Sequence, residues 1–127
     1  MLFNVISSEH QQAFTQGDCA FLANEITVQS EDFSMELITD WDGTGSIESA
    51  FYHVVAVHNE TEKYLDVQGI WDFDSLVQHY RVDMDTVFAE EITLDMYYDF
   101  GGEDTVYGVD PSPVAQKLLT EFAKHVQ

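Results

Sequence analysis

The chain has 127 residues, and 24 Asp and Glu stand against four Lys and Arg, for a formal net charge of −20. That length fits one domain, residues 1–127, and leaves little room for a second. With 45% hydrophobic and 13% aromatic residues, a packed core is expected and disorder is not, and no apolar run nears the ~20 residues that span a bilayer.

The one cysteine, Cys19, excludes an internal disulfide and fits a reducing compartment. The N-terminal MLFNVISSEHQQ has no basic segment followed by a long apolar one, so a cytoplasmic protein is expected. The acids are spread along the chain rather than gathered in a tail, which assigns them to a folded surface. Such a surface repels nucleic acid and anionic membranes and attracts basic partners.

In chain order, Gly17 to Val28 places Ala20, Phe21, Leu22, Ala23 and Ile26 at helical spacing, with Asp18 as the expected N-cap just before Cys19. Phe33 to Trp41 alternates Phe33, Met35, Leu37 and Thr39 on one face and reads as a strand. Asp42 to Gly45, DGTG, is a turn. Ala50 to His58 is rich in aromatic and β-branched residues, Asn59 to Lys63 is polar, and Tyr64 to Gln68 resumes strand character, which together predict a hairpin. Asp72 to Tyr80 reads as a short helix capped by Asp72 or Asp74. Glu91 to Tyr98 reads as another strand, and Gly101-Gly102 break the chain. Asp110-Pro111 open a final helix, Ser112 to Val126, with Val114, Leu118, Leu119, Phe122 and Val126 on one stripe. The order predicts an α+β fold.

Three residues carry the chemistry: Cys19, His53 and Asp66. A helix N-terminus favours a thiolate through its unpaired N–H groups and its dipole, and Cys19 falls where the first helix is expected to begin. A thiol nucleophile also needs an imidazole to take its proton and later return it to the leaving group. The imidazole in turn needs an acceptor that fixes its tautomer. Side chains alternate across a strand, so residues opposite each other share a face. With an even-numbered hairpin loop, cross-strand partners have numbers with an odd sum, a condition met by 53 and 66. A two-residue turn at Glu60-Thr61 sets His53 opposite Gln68 and diagonal to Asp66, whereas an odd-length loop separates them.

The segments GDCAFLA (Gly17 to Ala23), HVVAV (His53 to Val57) and YLDVQG (Tyr64 to Gly69) resemble the nucleophile helix, the His strand and the returning Asp strand of papain-like and transglutaminase-like cysteine hydrolases in their compact versions. The resemblance covers Gln16 to about Tyr80. It implies an N-terminal nucleophile helix packed on a small antiparallel sheet, with a C-terminal helix. It implies Cys19 as nucleophile, His53 as general base and then acid, and Asp66 as the residue that orients it. The oxyanion falls to the Cys19 amide and a second donor, for which Gln12 and Gln16 are the candidates.

Other signals point elsewhere. Asp40 to Glu48 carries acids at positions one, three and nine of a calcium loop, but Phe51 stands where the closing Glu belongs, so a polar turn is expected. His10, His58, His79 and His125 lack zinc spacing, so neither metal nor cofactor is expected. Asp83, Asp85, Glu90 and Glu91 form an acid-rich stretch that reads as a solvated face. The expected function is a thiol-dependent amide hydrolase or acyltransferase (peptidase, deamidase or transglutaminase-like) acting on a protein or peptide. The alternative is an acidic inhibitor or adaptor that occupies the nucleic-acid-binding site of a basic partner without touching nucleic acid itself.

Overall fold

A computed structural model describes residues 6–16, 18–45, 47, 50–102 and 104–125. Helix α1 spans Ser8–Gln16 and α2 spans Cys19–Gln29, followed by strands β1 (Phe33–Thr39), β2 (Tyr52–His58), β3 (Tyr64–Asp66) and β4 (Gly69–Trp71). Helix α3 (Phe73–Tyr80), strand β5 (Phe88–Glu91), helix α4 (Leu94–Asp99) and helix α5 (Pro111–His125) complete the chain. The five strands form one antiparallel sheet in the order β4-β3-β2-β1-β5. The fold is α+β, as expected.

The predicted hairpin forms around an even-numbered loop. His58 N–H donates to Lys63 O at 2.8 Å, and Glu62, in the left-handed region at φ 60°, donates its amide to His58 O at 2.8 Å. Ala56 therefore lies opposite Leu65 and Val57 opposite Tyr64. Continuing the count sets His53 level with Gln68 and diagonal to Asp66.

Strand register sorts the side chains into two layers. On one face Phe33, Ala56 and Leu65 pack with Leu22 and Ile26 of α2 and with Val114, Leu118 and Phe122 of α5. On the other, Ile38, Val55, Val57, Tyr64 and Trp71 pack with Leu76 of α3. Burying each such side chain contributes roughly 1.5–3 kcal/mol. Because both faces are covered, β1 buries Ile38 as well as Met35 and Leu37, and the one-faced alternation expected of it is only half the pattern.

The helix ends follow local chemistry. Asp72 caps α3 by accepting from Ser75 N at 2.8 Å, and Pro111 begins α5 where its missing N–H costs nothing. Val126, expected on the last stripe, lies outside the described residues. The strand expected over Glu91 to Tyr98 is a correction. Only its first residue belongs to β5, and Thr93 then accepts from Met96 N at 3.2 Å and starts α4. A capping hydroxyl, with Asp95 in the first turn, outweighs the β-propensity of Ile92, Tyr97 and Tyr98. Helix α1 and strand β4 are elements that the sequence reading did not anticipate.

Candidate active site

Cys19 is the first residue of α2 and is 4% exposed. The expected cap at Asp18 is a second correction. Its carboxylate makes no capping hydrogen bond. Instead it is fully buried and accepts from Thr105 Oγ1 (2.8 Å), Val106 N (2.7 Å) and Tyr107 N (3.0 Å). Asp18 serves the helix only through its backbone carbonyl, which accepts from Phe21 N at 3.1 Å. Charge-assisted bonds of this kind pin the 105–107 segment beside the start of α2.

The sheet opens where the sulfur sits. Amides two apart on a strand point the same way, so Val54 N–H points toward β3, as His58 N–H does. The β2–β3 ladder ends at Ala56 and Leu65. With no strand opposite, Val54 N–H donates to Cys19 Sγ at 3.4 Å. Helix α2 packs on one face of the sheet, while His53 pairs with Ile38 and projects to the other face with the α3 layer. The gap between β2 and β3 is what lets the sulfur reach the backbone beside His53.

His53, 2% exposed, places Nε2 3.0 Å from Asp66 Oδ2. Burial pulls the His53 pKa down. Hydrogen bonds to Asp66 and Cys19, with the charges of both, outweigh it and raise the pKa to about 9. For Asp66 burial pushes upward, but the His53 hydrogen bond and charge, the Trp71 indole and the Gln68 amide hold it below the usual carboxylate range.

Asp66 is saturated with donors. Oδ1 accepts from Gln68 N (2.9 Å), Gly69 N (3.0 Å) and Trp71 Nε1 (3.0 Å), and Oδ2 also accepts from Tyr80 OH (3.0 Å). The Tyr80 ring lies against His53 with centroids 4.5 Å apart. Burial and the Asp66 charge push the Tyr80 hydroxyl pKa up, so it stays a donor. Among the described residues no buried side-chain polar atom lacks a partner, which is what a low-dielectric site demands.

Of the three expected site residues, His53 and Asp66 meet directly, and the Cys19 sulfur lies against the backbone amide of Val54 beside them. Of the two candidates for the second oxyanion donor, Gln12 is exposed, and the Gln16 side chain lies outside the described residues. Tyr97, from α4, packs in the same apolar cluster as Cys19. Gly102 closes over its ring so tightly that a Cβ there would lie 2.5 Å from Tyr97 Cζ.

In the calcium-like loop, Asp40 Oδ1 accepts from Phe51 N (3.1 Å) and Asp42 Oδ1 from Thr44 N (2.9 Å), while Ser46 and Glu48 lie outside the described residues. Among the described residues no three His, Cys, Asp or Glu side chains gather as metal ligands, and no helix is long and apolar enough to cross a membrane.

The residues that sequence reasoning missed are Trp71, Tyr80 and the true role of Asp18. Trp71 is brought back to Asp66 by the pairing of β4 with β3, and Tyr80, at the end of the predicted helix, by the packing of α3 onto the sheet. This is an α+β chain with a buried Cys–His–Asp cluster at a helix N-terminus. Comparison with known proteins found no matching family model, no similar curated protein and no similar solved structure.

Proposed function

We propose that this protein is a thiol-dependent amide hydrolase or acyltransferase with a compact papain-like arrangement. One observation carries the reading: the Cys19 sulfur, at the start of a helix, takes the amide of Val54, the residue next to His53, whose ring is itself held by Asp66. In the first step His53 takes the thiol proton and the sulfur adds to the amide carbonyl. The tetrahedral oxyanion is met by the Cys19 amide in the first turn of α2. His53 then gives its proton to the departing amine as the carbon–nitrogen bond breaks, leaving an acyl-thioester. Water or a second amine attacks that thioester with His53 again as base, which frees the acid or a new amide and restores the thiol. Asp66 stays ionised throughout and steadies the imidazolium.

The sole cysteine makes the test unambiguous. Iodoacetamide alkylation of the folded protein is expected to proceed at pH 6 at least tenfold faster than in urea, and His53→Asn should remove that advantage. Alkylation that occurs only after unfolding would refute the nucleophile role. A second reading, an acidic inhibitor or adaptor for a basic partner, is favoured by the carboxylates crowded along the β1–β5 edge.

A further inference from the structure

Strand β5 ends the sheet, and all four of its residues, Phe88 to Glu91, are exposed. Its hydrogen-bonding directions follow from one contact. Ile92 N donates to Met35 O at 3.0 Å, so in the register Leu37↔Glu90 and Thr39↔Phe88 these alternate residues also point their amides at β1. Ala89 and Glu91 therefore turn their N–H and C=O groups outward, and among the described residues nothing receives them. Natural edges of this kind are usually blunted by Lys or Pro. Here the edge reads Phe-Ala-Glu-Glu.

The charge on this edge is unbalanced. Glu36 lies directly opposite Glu91, in a narrow pair of the antiparallel ladder where side chains come closest. Like charges so placed destabilise a sheet. Tyr64 OH donates to Glu36 Oε1 at 2.9 Å and keeps that carboxylate in the row. Asp83 and Asp85 precede the strand on exposed positions, and no Lys or Arg occurs between Arg81 and Lys117.

We infer that the β5 edge is a docking surface for an extended, Lys- or Arg-bearing segment of a basic protein, which adds to the sheet as a sixth strand. Ala89 and Glu91 supply the main-chain hydrogen bonds. Side chains of the added strand that share a face with Glu91 place a cation beside the Glu36–Glu91 pair, and those on the other face meet Glu90 and the half-exposed Phe88. A second copy of this chain is a poor occupant, because its own edge would set Glu90 and Glu91 against the same two residues.

The probe is a fluorescein-labelled decapeptide of alternating Lys and Val, followed by anisotropy at 50 and 300 mM salt. Binding is expected at low salt with a loss of tenfold or more at high salt, and a Glu-for-Lys control peptide should not bind. Ala89→Pro removes an outward donor without touching the β1–β5 ladder, and should weaken binding at least tenfold. Glu90→Gln with Glu91→Gln should weaken binding and flatten its salt dependence. In case the proline disturbs the edge, amide shifts on titration give a second measurement, with the Ala89 and Glu91 signals moving most. Cys19→Ser should bind as the parent does, so failure of the thiol chemistry leaves this result intact. Absence of binding at low salt, unchanged binding by Ala89→Pro, shifts that avoid β5, or a self-dimer abolished by the proline would each overturn the inference.

Discussion

The two sides of the sheet centre treat carboxylates in opposite ways. Between β2 and β3, Asp66 is buried and every lone pair direction meets a donor: two backbone amides, an indole, a phenol and an imidazole. Between β1 and β5, Glu36 and Glu91 face one another, and a single phenol, that of Tyr64, donates to Glu36 alone. The first arrangement holds a charge in place so that it can act on His53. The second leaves charge available to an outside partner. Burial makes the difference: a charge removed from water must be fully paired or it unfolds the protein, while an exposed one is tolerated at little cost.

The sharpest way to break this contrast is to remove the buried partner. Asp66→Ala leaves the His53 ring and four other donors without an acceptor and opens a cavity, and should destabilise by about 3–5 kcal/mol in urea unfolding. A loss below about 1 kcal/mol would mean that the network is not assembled as described.

The pH dependence comes next. His53 has a folded-state pKa raised from the ordinary imidazole value of 6.5 to about 9, so the folded form holds its proton more tightly than the unfolded chain. The stabilisation is fully present below about pH 6.5 and disappears as pH rises through about 9. A fall of a few kcal/mol between pH 6 and 9.5 is expected, and Asp66→Asn should flatten it. A stability that rises over that window would contradict the pairing.

Tyr80→Phe removes one of the donors to Asp66 Oδ2 while keeping the ring against His53. It should cost about 1–2 kcal/mol, and calorimetry can resolve it. The smallest effect belongs to the exposed side. Glu91→Gln relieves the like-charge pair and should stabilise by a few tenths of a kcal/mol at low salt, with the gain vanishing at high salt. Destabilisation by Glu91→Gln would show that the carboxylate has a structural partner and that the contrast is false.

Gly102 and Asp18 extend the lesson to residues outside the sheet. Each is a short or polar residue whose importance lies in contact with a distant element: the Tyr97 ring for one, Thr105 to Tyr107 for the other. Neither has a local signature. Gly102 reads as a chain break and Asp18 as a helix cap, since sequence neighbours alone suggest those roles. Thr93 shows the opposite case: its capping chemistry was present in the sequence, but the apolar run around it masked the signal and gave a strand where α4 forms.

The sequence by itself determined the charge, the α+β class, the start of the helix at Cys19 and the condition, an even loop, under which His53 and Asp66 share a strand face. Those features depend on composition, on periodicity and on the two-residue repeat of a strand, all of which act over a few residues. Only the tertiary structure decided that β2 and β3 part beyond Ala56, that the sulfur fills the opening, and that Tyr80 and Trp71 close around Asp66. Those outcomes depend on how whole helices seat against a twisted sheet, where the hydrophobic burial of α2 and α3 fixes positions that no short stretch of chain encodes.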